Sequence, residues 1–399
     1  MAQNHTEISL EAVLGDPAST CAHVRQQGGV AQLDDRLLFA SHELVTAGLK
    51  SPSFGPGIIQ SLRLLGVTSG PFFEFIQGSS LNASGESHRN WRRQLTNAFT
   101  PRSMDALRPH IRREADQLVS AACTRGECEF MDAFARPLPA LALCELLGVP
   151  PAARSHFSQL ADTMGIGFNP ALVAAHIAEV NAAVTELGHY ALSLVKERQA
   201  NPTDDLVGRL VQAAQEEGRG FDAVAIKETL IGLLFAGYET TKGQLGWMIM
   251  ALSERPDLWD AVSATPELAK PIVEEVLRLR GATAGVNRQT TTEVTIGGHT
   301  IAAGTTVYLH TWSANRDETS FPAADRLEPS QNNTCPHLTF GLGAHFCIGA
   351  SMARAELQES LIAWSTRVHC PEIVGDVPIS PPIGLFGPSR LPIRFQPRA

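Results

Sequence analysis

The chain has 399 residues, 44% of them hydrophobic, and a formal net charge of −9. That balance excludes a general nucleic-acid binder, which would be basic, and no apolar run reaches the roughly 18–20 residues that span a bilayer. Seven irregularly spaced cysteines fit a reducing compartment better than a disulfide framework. The N-terminus lacks the basic start and apolar core of a secretory signal, so a soluble, cytoplasmic protein is expected.

Residues 1–20 read as an irregular arm and a short helix. Two apolar runs either side of Asp34-Asp35 predict a hairpin over Val30 to Phe39. Residues 50–85 are rich in Gly, Pro and Ser and hold the cluster Phe72, Phe73, Phe75. They read as a long irregular connection, either a binding lid or a hydrophobic plug. From His88 to Thr100 the pattern is helical and cationic, with His88 and Arg92 on one face. Such a cluster is either a solvated basic face or a site for a ligand carrying carboxylates. Helical segments continue to Gly148-Val149-Pro150 and then from Pro151 to Arg198, broken at residues 165–170. With no repeat, low-complexity tract or linker, the chain reads as one domain over 1–399.

Asp222 to Leu252 is apolar on most sides, the mark of a buried helix. Its middle nevertheless carries Gly237, Glu239, Thr240 and Thr241. A buried unpaired carboxylate is costly or takes up a proton, and threonine can bond back to the carbonyl four residues earlier. The segment is either a polar kink or a groove where an acid and a hydroxyl pass protons. Glu275 and Arg278 follow as an i, i+3 pair, weak evidence alone. Val294–Ile296, Thr300-Ile301 and Thr305–Leu309 read as short strands, with Arg288 opening that stretch, and Pro378–Phe395 as a final β-rich region.

Between these lies Pro336 to Glu356, a glycine-spaced turn that carries Cys347 and hands into a helix. Three readings stand for it. Cys347 is a buried structural thiol; or Cys335, His337, His345 and Cys347 bind zinc, although structural zinc pairs usually stand two to four residues apart and these are separated by one. Otherwise Cys347, at a helix start that favours thiolate, is a lone soft ligand to haem iron.

Four motifs in order resemble the cytochrome P450 superfamily, the haem-thiolate monooxygenases: Phe340-Gly341-x-Gly343-x-His345-x-Cys347-x-Gly349, Glu275-x-x-Arg278, Ala236-Gly237-x-Glu239-Thr240-Thr241, and His88-x-x-x-Arg92-Arg93 followed by Ala98-Phe99-Thr100-Pro101. The resemblance covers nearly the whole chain. It implies a mainly α fold with small β-sheets, triangular, with haem b buried between the long central helix and the Cys-loop helix. Cys347 would be the thiolate ligand, with Phe340 and Gly349 beside it. His88, Arg92, Arg288 and His337 would hold the two haem propionates. Glu239 and Thr240 would be the acid–alcohol pair that delivers protons to bound dioxygen, and Glu275 and Arg278 would be structural.

The resemblance further implies a bacterial enzyme that oxidises an apolar small molecule such as a terpenoid, steroid, fatty acid or polyketide. Electrons would come from a separate ferredoxin and an NAD(P)H-dependent reductase, docking near Arg89, Arg93 and Arg354. The alternatives are a radical-coupling or peroxide-using relative and a non-catalytic haem-binding protein. The pocket would be lined by Phe72, Phe73, Phe75, Phe168, Leu233, Ala236, Gly237, Ala284, Val286 and Phe386, with Met164, Ile166 and Leu385 nearby. The chain departs from many bacterial relatives in Tyr238, where a histidine is usual, and in the small residues of 281–285, where a proline-containing turn is common. Those small residues predict a roomier or more mobile pocket.

Overall fold

Val30–Leu33 and Arg36–Phe39 form the expected antiparallel hairpin, with Asp34 in the left-handed region at the turn. Within the computed structural model, which describes residues 5–96, 98–170, 172–217, 223–331, 333, 335–380 and 382–398, this hairpin supplies the second and third strands of a six-stranded sheet. The sheet's order is Thr6–Ile8, Val30–Leu33, Arg36–Phe39, Thr306–Leu309, Val286–Thr290, Phe54–Pro56. A three-stranded and a two-stranded sheet complete the strands among the described residues. Helices make up most of the remainder, so the fold is mainly α with small sheets.

Residues 50–85 are more regular than their composition predicts. They hold the strand Phe54–Pro56 and the helices Ile58–Leu64 and Pro71–Gly78. Pro71 suits the first helical turn, and Phe72, Phe73 and Phe75 are all buried. Burying three aromatic rings favours local order over chain entropy, and of the two readings the plug is the one the packing supports.

The central helix, Ala223–Ser253, has 31 residues and is therefore about 46 Å long. Asp222, the expected first residue, lies outside the described residues. Helices Pro137–Leu147, Pro151–Gly165 and Val173–Ala200 pack against the central helix, as does the Cys-loop helix, Ala350–Arg367. The Cys-loop helix also packs on Pro101–Cys123 and Ala269–Leu279.

Glu275 and Arg278 are buried to 3% and 1% exposure, so their pairing is not the weak surface kind. Arg278 donates from Nε and Nη2 to the two carboxylate oxygens at 2.9 and 2.7 Å. It also donates to the carbonyls of Asn315, Ala323, Ala324 and Arg326. Glu275 accepts from Gln331 Nε2 and the Glu328 N–H as well. One ion pair thus ties the irregular segment 315–331 to the helix behind the Cys loop, a structural role.

Candidate active site

The Cys347 loop is held by its own backbone and by neighbours. The Cys347 N–H donates to the Phe340 carbonyl at 2.9 Å. Gly343 has φ +71°, and a Cβ there would sit 2.7 Å from the Leu49 carbonyl oxygen, so the turn needs glycine. Arg92 donates to the carbonyls of Phe346 and Ala344 at 2.6 and 3.3 Å. Gly349 stands just before the Cys-loop helix, with its own N–H directed to the Cys347 sulfur.

Cys347 is open on one side and surrounded by protein on the others. Burial pushes its thiol above the ordinary value, against the opposing pull of the Gly349 N–H, Arg92 and Arg354. The helix start thus favours thiolate, as expected, but burial outweighs it. A coordinating cation makes the thiolate outright.

Beside the loop lies a basic cluster. The rings of His88 and His345 lie with centroids 4.1 Å apart and planes tilted by 40°. Burial, then Arg92 and Arg288, lowers the pKa of His88; burial, then Arg288, His88 and Arg92, holds His345 at about 4. Burial alone takes Arg288 down to about 10. Among the described residues none of these four side chains forms an ion pair with an Asp or Glu. Two guanidiniums and two imidazoles gathered without an acid have the donor chemistry for carboxylates from a ligand.

His337 is not in this cluster. Its Nε2 lies 3.3 Å from Glu274, and its Nδ1 accepts the Thr339 N–H. Burial works to raise the Glu274 carboxyl, but His337 and Arg354 outweigh it and hold it at about 2. Both ring nitrogens are engaged, whereas His345, two residues before Cys347, lies in the cluster beside His88. The motif already contained His345, which was the available signal. Arg354 is likewise engaged, bonding Glu274 through two nitrogens at 2.7 and 2.9 Å and lying over the Phe340 ring. The zinc reading ends here too: His337 and His345 have separate partners, and no group of three metal-ligating side chains occurs among the described residues.

On the central helix, Ala236 is exposed although Leu233, Leu234, Phe235 and Tyr238 around it are buried. The middle of this buried helix therefore borders an internal space. Thr240 donates to the Ala236 carbonyl at 2.6 Å, the expected back-bond, and the helix stays continuous. A Cβ on Gly237 would meet Leu143 at 2.9 Å, so its missing side chain serves close packing of Pro137–Leu147. Glu239 bonds Lys242, which also donates to Asp162 at 2.9 Å. Burial raises the Glu239 carboxyl, and Lys242 opposes that. The sequence reading missed Lys242 and Asp162; the i, i+3 spacing of Glu239 and Lys242 was the signal for the first.

Of the ten expected pocket residues, Ala236 alone is exposed. Phe168 is half-buried between Phe72, edge-on at 5.2 Å, and Phe235. Val286 is half-buried in its strand, and Leu233, Phe73 and Phe75 are core. Ala284 and Phe386 pack with Trp247 and Ala282 in a small core. The roomier pocket expected from 281–285 is not found. A Cβ at Gly281 would meet Thr339 at 2.8 Å, and one at Gly285 the Leu309 carbonyl oxygen at 2.5 Å and Tyr308 at 2.8 Å. The small residues there let backbones approach.

A sequence model of the cytochrome P450 family matches residues 155–265 and 266–364. The chain is 31% identical over 375 residues to luteothin monooxygenase of Streptomyces thioluteus, covering 94% of this chain and 92% of the relative. It is 38% identical over 283 residues to erythromycin C-12 hydroxylase of Saccharopolyspora erythraea, covering 69% of each. Cytochrome P450 CYP109Q5 from Chondromyces apiculatus superposes with a TM-score of 0.85 at 29% identity, covering 98% of this chain and 99% of that one. No helix of the described residues is long and apolar enough to cross a membrane. The chain belongs to the cytochrome P450 family, and the reaction class it shares with these relatives is monooxygenation.

Proposed function

We propose that the chain is a single-domain, cytoplasmic monooxygenase that inserts oxygen into an apolar small molecule of the polyketide kind. Family membership implies thiolate-ligated haem and the use of dioxygen, and the residues present fit that group. Cys347 offers one sulfur open on one side, and His88, Arg92, Arg288 and His345 offer donors for two carboxylates. Haem so held supplies oxygen activation and transfer to a C–H bond. The chain's own part is to hold it, exclude water and move protons through Glu239 and Thr240. The observation that carries this reading is the acid and alcohol beside exposed Ala236, in a helix otherwise buried. A protein that only stored haem has no use for them.

The substrate class rests on relatives named for luteothin, mycinamicin IV and erythromycin. Polyketides should give the low- to high-spin shift of the haem-loaded protein at lower concentration than steroids or fatty acids do. The reverse ranking would overturn the class. A Cys347→Ser variant should lose the thiolate-type band of the reduced CO complex; keeping it would remove Cys347 as ligand.

Electrons come, on this reading, from a separate ferredoxin and its NAD(P)H-dependent reductase. Arg89, Arg92 and Arg93 line an open recess of about 470 Å³ with Thr96, Gly343 and Ala344, beside the Cys loop. Charge reversal at Arg89 and Arg93 should slow ferredoxin-driven reduction and flatten its salt dependence. Unaltered rates would exclude docking there.

A further inference from the structure

Phe235, Glu239 and Lys242 stand at i, i+4 and i+7 on the central helix and share one stripe of it. Opposite them runs a second stripe, from the end of helix Pro151–Gly165 into the turn Ile166–Phe168. Phe168 stacks on Phe235. A Cβ on Gly165 would meet the Glu239 carboxyl carbon at 2.5 Å, so that helix end lies directly on the carboxyl. Asp162, one turn earlier, accepts from Lys242 at 2.9 Å and lies 3.8 Å from Arg136.

Charge alternates along this line: Glu239, Lys242, Asp162, Arg136. Side-chain exposure rises along it too, from 15% at Glu239 and Lys242 to 35% at Asp162. Tyr238, the departure noted in the sequence, lies beneath Lys242, whose Nζ is 5.2 Å from the ring centroid. The ring walls one side of the ammonium and supplies no competing anion.

We propose that Lys242 is a positioning residue for oxygen activation: by bonding both carboxyls it holds that of Glu239 turned toward Asp162, so that Glu239 takes its protons from water at the Asp162 edge. This rests on the reading that Glu239 delivers protons toward Thr240. Each proton that Glu239 passes on is replaced by one from solvent. The groups facing Glu239 are Lys242 and Tyr238 on its own helix, Asp162 on helix Pro151–Gly165, and Arg136, which precedes helix Pro137–Leu147. Lys242 and Arg136 favour the ionised carboxylate; burial and Asp162 oppose it.

The test is an infrared titration of the haem-loaded protein, reading the protonated carboxyl band of Glu239, identified by its loss in Glu239→Gln. Lys242→Met removes the charge and keeps much of the stem, and the band's midpoint should rise by about 1–3 pH units, the effect of losing a close opposite charge. Lys242→Arg should restore it. Asp162→Asn removes the like charge and should move the midpoint down. A merely structural role predicts no opposite pair of shifts. With substrate and redox partners, Lys242→Met should also divert electrons from product to hydrogen peroxide, with Lys242→Arg between it and the parent.

An unchanged midpoint in Lys242→Met, or shifts of the same sign in Lys242→Met and Asp162→Asn, overturns the proposal. Should Lys242→Met not fold, the Asp162→Asn shift decides alone. If Glu239→Gln itself yields product with undiminished coupling, the proton-delivery reading falls, while the infrared shifts still decide what Lys242 does to the carboxylate.

Discussion

The ring of Phe168 lies flat on that of Phe235, with centroids 3.5 Å apart and planes 13° from parallel. Phe168 ends the turn that leaves helix Pro151–Gly165, and Phe235 is one turn before Glu239 on the central helix. The stack therefore fixes the helix end that lies on the Glu239 carboxyl. Phe168→Ala should cost about 2 kcal/mol, since the ring is half-buried and paired with a second aromatic. Urea unfolding measures the loss. Hydrogen exchange should quicken at residues 162–169 more than in the helices behind the Cys loop.

Two glycine substitutions should have opposite signs. A Cβ at Gly285 would meet the Leu309 carbonyl oxygen at 2.5 Å, backbone that cannot rotate away, whereas one at Gly232 on the central helix meets nothing within 4 Å. Gly285→Ala should destabilise by about 1–3 kcal/mol through overpacking. Gly232→Ala should stabilise by about 1 kcal/mol through helix propensity. Paired urea midpoints check both. A neutral Gly285→Ala would show that the segment has room after all.

Breaking the buried pair should be far more damaging than breaking any surface pair. Glu275→Gln removes the charge opposite buried Arg278 and weakens two of its six hydrogen bonds, at a cost of about 3–5 kcal/mol. Thermal melts should show the loss, and protease cleavage should appear first within 315–331, the segment the pair holds.

Stability should fall on both sides of a middle pH. Burial holds fully buried His310 at about 4, with the Pro382 carbonyl opposing and Arg316 and Arg25 assisting. The unfolded chain binds that proton near 6.5 and the folded chain only near 4. This contribution is thus complete above pH 6.5 and is lost as pH falls toward 4, by about 3 kcal/mol. His310→Asn keeps an acceptor for the Ser313 N–H and should flatten the acid limb.

Burial raises Glu356 to about 8, and its Oε2 has no hydrogen-bond partner. Here the folded chain holds the proton longer than the unfolded one, so stability is complete below pH 4.5 and is lost as pH rises toward 8, by about 5 kcal/mol. Glu356→Gln should melt above the parent by a margin that widens from pH 5 to 8. A constant margin would mean that Glu356 does not titrate in that window.

What the sequence by itself determined was local: a glycine-spaced turn with Cys347 before a helix, an acid and an alcohol in a long apolar helix, and Glu275 three residues before Arg278. Each is a short-range pattern, and helix periodicity alone places its members on a common face. The tertiary structure decided what meets across distance. Sequence alone puts His337 and His345 in one loop, but in the fold the His345 ring lies 4.1 Å from that of His88 while His337 faces Glu274. Arg354 is engaged by the same Glu274. The small residues of 281–285 carry no mark of whether they leave space or let backbones touch; Leu309 and Tyr308 settle that. Lys242 and Asp162 lie 80 positions apart, and only the packing of two helix stripes joins them, beyond the reach of periodicity.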